Sequence, residues 1–144
     1  MKKIKFLTLA LIISTLFISC SKDDDQQPQP VNEEEVITTL TVTLVPEGGG
    51  ATVILQTRDL DGDGPNEPVI TTGNLAAGVS YSGSIVLLNE TVDPAEDITE
   101  EVEEENLEHQ FFYTSGDDLD ITTSNENLDT DGNKLGTEFT LVAG

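Results

Sequence analysis

Short runs of β-branched and aromatic residues, separated by turns rich in Gly, Pro, Asp and Asn, occupy the chain from Val36 onward. Polar and apolar residues alternate in Thr39–Val45, which is the period of a half-buried strand. Pro46–Gly50 has the composition of a turn, and Thr52–Thr57 is a second β-rich run. The two runs therefore predict a β-hairpin.

Further runs of the same kind predict a mainly all-β fold. The longest is Val79–Asn89, and within it we expect Ile85–Leu88 to be buried on both faces. Seven predicted strands with turns between them are typical of an antiparallel immunoglobulin-like β-sandwich. The remaining four strands are predicted at Val69–Thr72, His109–Tyr113, Leu119–Thr123 and Thr137–Val142.

The stretch Asp93–Leu107 predicts one short acidic helix. Asp93 would be its N-cap, with Pro94 at the first helical position and a glutamate three residues after the cap. Ile98 and Val102 are four residues apart, so they would share one face of this helix. Glutamates at most other positions oppose the helix dipole, and the helix should therefore be marginal.

The N-terminus has the pattern of a signal peptide. Three lysines precede the apolar run Phe6–Ile18, which is too short to span a bilayer. The run Leu16–Cys20 resembles the lipobox of bacterial lipoproteins and contains the only Cys of the chain. The resemblance implies that residues 1–19 are removed and that Cys20 is acylated; an ordinary secretory signal peptide is the alternative. Several acyl chains would anchor the protein stably in a membrane.

An acidic run follows the predicted lipidation site. It resembles the export signal of surface lipoproteins in Bacteroidota, and it consists of Ser21, Lys22, Asp23, Asp24 and Asp25. The resemblance implies a lipid anchor in the outer membrane with the protein exposed on the cell surface; a periplasm-facing protein is the alternative. Residues 20–35 are then the lipidated Cys with a flexible acidic, Pro/Gln-rich tether, and residues 36–144 are the folded domain.

The charge of the chain restricts its partners. The net charge is −22, and removal of residues 1–19 leaves three basic residues against 28 acidic ones, a side-chain charge of −25. Such a surface repels nucleic acid and anionic lipid, so we expect no nucleic-acid partner and attachment through the lipid alone. A single Cys excludes an intrachain disulfide, and with a single His it excludes zinc sites built from several Cys and His.

Three segments together resemble a group of small flavobacterial lipoproteins. They are Arg58–Asn66, the Glu-rich stretch leading to His109–Tyr113, and Ser21–Asp25. Members of the group are longer, which implies a C-terminally truncated domain here; alternatively, the last predicted strand ends the sheet. Some relatives carry the label of a type 1 periplasmic binding fold, but that fold has two α/β lobes and this chain predicts one β-rich domain. The group has no established activity to transfer.

Two acidic loops have the residue spacing of calcium sites. In the first, Asp59, Asp61 and Asp63 occupy positions 1, 3 and 5, and Glu67 occupies position 9. This spacing allows several carboxylate oxygens to converge on one hard cation. Position 12 is Ile70, so the bidentate carboxylate of a calcium loop is missing there.

The second loop matches the spacing more fully. Asn127, Asp129 and Asp131 occupy positions 1, 3 and 5, and Glu138 occupies position 12. Neither loop is flanked by the helices of an EF-hand. Because Asp-Gly pairs are also common in hairpin turns, a plain turn is the alternative for both loops.

The remaining chemistry-bearing residues predict no enzyme. His109 is the only imidazole and is a candidate base or metal ligand, with a structural role as the alternative. No nucleophile elbow and no phosphate-binding loop is present in the sequence. The sequence therefore predicts a non-enzymatic binding or envelope-interaction module for a protein or glycan ligand, with Ca²⁺ as the sole candidate cofactor. The alternatives are a calcium-stabilised adhesion or carbohydrate-binding module, a periplasmic solute-binding accessory protein and a carboxylate-based hydrolase.

Overall fold

The strands of the domain join into one antiparallel sheet. The computed structural model describes residues 34–62, 64–116 and 119–144. Within these residues the strands lie in the order β3-β2-β1-β4-β7-β6, and β5 pairs with β4 outside this path. The elements are β1 (Thr39–Pro46), β2 (Val53–Arg58), β3 (Val69–Thr71), β4 (Val79–Asn89), β5 (Glu96–Asp97), α1 (Ile98–Glu104), β6 (Ile121–Ser124) and β7 (Glu138–Ala143).

The predicted hairpin of β1 and β2 is confirmed. The two strands pair in antiparallel register from Thr39 opposite Arg58 to Leu44 opposite Val53. The turn between them contains Gly49 and Gly50 with φ values of 83° and 135°, a region in which side chains are strained. The glycine run therefore allows the chain to reverse between two otherwise β-branched strands.

Strand β4 is the centre of the sheet. It pairs with the whole of β1, with β7 along Val79–Ser84 and with β5 at its last two residues. Its burial alternates: Ile85 and Leu87 are 5% and 1% exposed, whereas Val86 between them is 38% exposed. The prediction that Ile85–Leu88 is buried on both faces is therefore wrong at Val86, because only one face of the sheet is covered by the core.

The core lies on a single face of the sheet. Side chains of β1, β4 and β7 supply most of it, and two residues of α1, Ile98 and Val102, pack onto them as predicted. The buried members are Leu44, Tyr81, Ile85, Leu87, Ile98, Val102, Phe139, Leu141 and Ala143. Partly buried side chains from the segment after the helix, including Phe111 and Tyr113, pack against this cluster.

The N-cap of helix α1 lies four residues later than predicted. Asp97, and not Asp93, is the N-cap, and its carboxylate accepts a hydrogen bond from Thr99 N at 2.9 Å. The prediction was wrong because residues 96 and 97 pair with the end of β4 and so are held extended. The helix ends after seven residues, with no basic side chain in its last turn to offset the dipole.

The predicted strand at His109–Tyr113 is wrong. The segment has no strand partner among the described residues, and Phe111 N donates instead to Leu135 O at 2.8 Å. The Tyr113 hydroxyl donates to Gly136 O, and its ring lies 4.3 Å from that of Phe139. Burial and the nearby charge of Glu126 raise the pKa of Tyr113, so its hydroxyl stays a neutral donor. The segment is an irregular cover over the core.

The all-β class is confirmed, but the immunoglobulin-like sandwich is not. The described strands form one sheet, and the helix with the 109–113 segment covers the face where a second sheet would lie. One compact unit spans Glu34–Gly144. Within the described ranges, no helix is long and apolar enough to cross a membrane.

Candidate functional site

An open groove of about 710 Å³ lies at one end of the sheet, and we call it the sheet-end groove. Its lining includes Leu55 of β2 and Ile121 of β6, although β1, β4 and β7 lie between these two strands. The sheet must therefore curve strongly for both side chains to face one cavity. Leu75, Leu119 and Ala143 contribute further apolar surface.

Backbone hydrogen bonds fix the walls of the sheet-end groove. In the loop before β4, Ala76 N donates to the Tyr81 hydroxyl at 2.8 Å, and Gly78 N donates to Ala143 O at 2.6 Å. Gly144, the next residue along the chain, donates from its backbone N to Asp120 O at 2.6 Å. These bonds join the loop, β7 and the segment before β6, so the groove is a built feature of the domain.

The lining chemistry suits binding. Among the described lining residues the one ionisable side chain is Asp120, and the other polar contributions come from Thr72, Asn74 and the backbone. None of the described lining residues is a Ser, a Cys, a His or an aromatic residue. An aliphatic concave surface with a few polar groups can hold an apolar group and orient it.

The first predicted calcium loop directs its carboxylates at its own backbone. Asp59 Oδ1 accepts from Asp61 N at 3.3 Å and from Gly62 N at 3.0 Å. Asp61 Oδ2 accepts from Asn66 N at 3.3 Å and Asn66 Nδ2 at 2.6 Å. Glu67 is exposed, and Asp63 lies outside the described residues. Aspartates that bond the backbone two or three residues on are typical of turns.

The second predicted loop does the same. Asn127 Oδ1 accepts from the backbone N of Gly136 and of Glu138, both at 3.0 Å. The Asp129 carboxylate accepts from Asp131 N at 2.9 Å and from Asn133 N at 2.8 Å, and the side-chain amide of Asn133 bonds its other oxygen at 3.0 Å. The bond from the Asn133 side chain is the main cause that lowers the pKa of Asp129.

The carboxylates of the second loop do not converge in groups of three. Asp129, Asp131 and Glu138 do not place their oxygens within 4.8 Å of one another. The oxygen of Asn127 that would occupy the first ligand position already accepts two backbone bonds. The hydrogen bonds thus account for both acidic loops as turns, and calcium binding there stays a prediction.

A different set of side chains does converge. Over the described ranges, one group of three acidic or imidazole residues brings its ligand atoms within 4.8 Å of one another: Glu35, Glu105 and His109. We call it the His109 cluster. Sequence reasoning singled out His109 but missed both glutamates. The spacing of four residues between Glu105 and His109 at a helix end was a usable signal; nothing in the sequence connects Glu35 to them.

The predicted lipidation and export residues, Cys20 and Ser21–Asp25, lie outside the described residues. No known protein family, curated protein or solved structure matches this chain. The geometry of the sheet-end groove and the N-terminal sequence are therefore the features that bear on function.

Proposed function

We propose that the protein is a membrane-anchored, surface-exposed lipoprotein whose β-domain is a non-enzymatic binding module. The observation that carries the proposal is the sheet-end groove, an open aliphatic cavity of about 710 Å³ with walls fixed by backbone hydrogen bonds. The N-terminal pattern around Cys20 supports the anchor, and the acidic run after it supports exposure on the outer membrane.

The ligand that fits the groove best is an apolar segment of a neutral or basic protein. Sugars are commonly held by stacking on aromatic side chains, and the described lining has none. Both basic side chains of the described part, Arg58 and Lys134, already lie beside glutamates. The rest of the charged surface is acidic, so it attracts a basic partner and repels an acidic one.

Binding is tested with two labelled peptides, one alternating Leu and Lys and the other alternating Leu and Glu. Leu119 lines the groove and is 58% exposed, whereas Leu128 is 59% exposed and is not part of the lining. We expect the Leu/Lys peptide to bind the full chain and Leu128→Ser, and to bind Leu119→Ser at least about tenfold more weakly. Equal binding to both variants would show charge attraction without use of the groove. Binding of a glycan in place of the peptide would contradict the assigned ligand class.

The anchor is tested separately. Cys20→Ala should abolish labelling by a fatty-acid probe and release the protein from the membrane fraction, since lipid attachment needs the thiol. Replacement of Asp23, Asp24 and Asp25 by Ala should leave the label and reduce digestion by protease added to whole cells. Persistent label in the Cys20 variant, or unchanged digestion in the triple variant, would contradict lipidation or surface export, respectively.

A further inference from the structure

Three ligand atoms of the partly buried His109 cluster lie close to one another. His109 Nε2 lies 3.0 Å from Glu35 Oε1 and 4.0 Å from Glu105 Oε2. The side chains of His109, Glu35 and Glu105 are 25%, 16% and 37% exposed, but the atoms Nε2 of His109 and Oε2 of Glu105 are themselves buried, so bulk water does not screen the group fully. Two carboxylates and one imidazole nitrogen gathered in this way can share one positive charge.

The hydrogen bonds of the described residues leave two of these atoms without a partner. His109 Nε2 and Glu105 Oε2 are both buried and have no hydrogen-bond partner. The approach of Glu35 Oε1 to Nε2 has the distance of an ion pair but not the alignment of a hydrogen bond. Buried polar atoms are nearly always satisfied, so these two atoms, 4.0 Å apart and without a hydrogen-bond partner, favour a site for a bound ion.

We propose that the His109 cluster binds a divalent transition-metal ion of the Zn²⁺ class. One imidazole nitrogen and two carboxylate oxygens are ligands that Zn²⁺ takes, at about 2.0–2.2 Å each. Ligand atoms on a common ion are then at most about 4.4 Å apart. The three donors already lie within 4.8 Å of one another, so small side-chain movements complete the site. Ca²⁺ prefers an all-oxygen set, and the imidazole therefore selects against it.

The position of the cluster gives the ion a structural role. Glu105 is the C-cap residue of α1, His109 follows it by one turn, and Glu35 lies just before β1. An ion held by all three joins the segment that enters the domain to the end of the helix. This site is separate from the sheet-end groove, whose lining includes none of the three residues.

The test uses the tag-free full chain after removal of metal with a chelator. Melting temperature and calorimetric titration are measured with Zn²⁺ and with Ca²⁺ at matched ionic strength. His109→Gln and Glu105→Gln remove donors, and Glu104→Gln is the matched control, because it changes the same charge on the exposed neighbour of Glu105. We expect Zn²⁺ to raise the melting temperature of the unmodified chain and of the control, and its affinity to fall at least about tenfold in the two donor variants. Co²⁺ should give a visible absorption band that the donor variants lack.

Three results would overturn the proposal. Equal loss of Zn²⁺ affinity in Glu104→Gln and Glu105→Gln would show general attraction to the acidic surface. Equal effects of Zn²⁺ and Ca²⁺ in every variant would show screening of charge. The absence of any Zn²⁺ binding or Co²⁺ band in the unmodified chain would leave the contacts of His109 with the two glutamates as purely structural ones.

Discussion

Arg58 is joined to Glu90 across the strand that separates them. Arg58 is the last residue of β2 and Glu90 follows the last residue of β4, with β1 between the two strands. Arg58 Nε donates to Glu90 Oε2 at 2.9 Å, and Thr39 of β1 donates to Glu90 Oε1 at 2.7 Å. One carboxylate therefore links three adjacent strands at one end of the sheet.

The Arg58–Glu90 pair should make stability depend on pH in the acid range. The hydrogen bonds from Arg58 and then Thr39 hold the pKa of Glu90 below its ordinary value of 4.5. Its stabilising contribution is therefore present above that value and is lost as the pH falls through the lower folded pKa. Unfolding of the full chain, Arg58→Ala, Glu90→Gln and the double variant should show coupling at about pH 7 that shrinks towards about pH 3. Coupling that stays constant over this range would contradict the assignment.

The N-cap of α1 can be tested with two aspartates. Asp97→Ala removes the acceptor of the Thr99 N–H and should lower the free energy of unfolding by about 1 kcal/mol, within a range of about 0.5–2. Asp93→Ala alters the residue that the sequence pattern favours as the cap and should have a clearly smaller effect. Urea titration followed by circular dichroism measures both. A larger loss in the Asp93 variant would reverse the assignment.

The alternation of buried and exposed side chains along β4 predicts that substitutions at neighbouring positions destabilise the domain by different amounts. Leu87 is 1% exposed and belongs to the core, so Leu87→Ala should cost about 2–5 kcal/mol. Val86 is 38% exposed on the other face, so Val86→Ala should cost about 1 kcal/mol or less. Comparable losses in the free energy of unfolding, measured by chemical denaturation, would mean that both faces of β4 are covered.

Gly83 is close-packed against the ring of Phe139. A Cβ at position 83 would lie 2.5 Å from Cε2 and Cζ of that ring, so Gly83→Ala must displace it and should cost about 1–3 kcal/mol. At Gly48, by contrast, an added Cβ meets nothing within 4 Å, and Gly48→Ala serves as the control. Thermal unfolding measures both variants; an equally stable Gly83 variant would place the ring elsewhere.

Local patterns in the sequence predicted the strands whose partners are close in the chain. The alternation in β1 and the glycine turn after it determine the hairpin, and both can be read from neighbouring residues. The cap of α1 could not be read in this way, because Asp93 has the usual local signature. Pairing of Asp97 with Leu88 of β4, a tertiary effect, decides where the helix begins.

The sheet-end groove and the His109 cluster depend even more on contacts between residues that are far apart in the chain. Phe111 and Tyr113 have the composition of a strand, but their hydrogen bonds go to the loop at residues 135 and 136. A period-two pattern does not encode how many sheets the strands form. The same sequence pattern therefore fits a single curved sheet and a sandwich equally well. The sheet-end groove arises from that curvature, and Glu35 reaches His109 only in the folded domain.

The central position of β4 has a consequence for how the chain folds. Its two long neighbours come from opposite ends of the domain: Thr39 pairs with Leu88, and Val79 pairs with Ala143. The β1–β2 hairpin can close early, since its strands are adjacent in sequence, but neither β1 nor β7 can reach β4 without closing a long loop. We therefore expect folding to be slow for a domain of this size, and we expect the core to be completed only after β7 has emerged and docked.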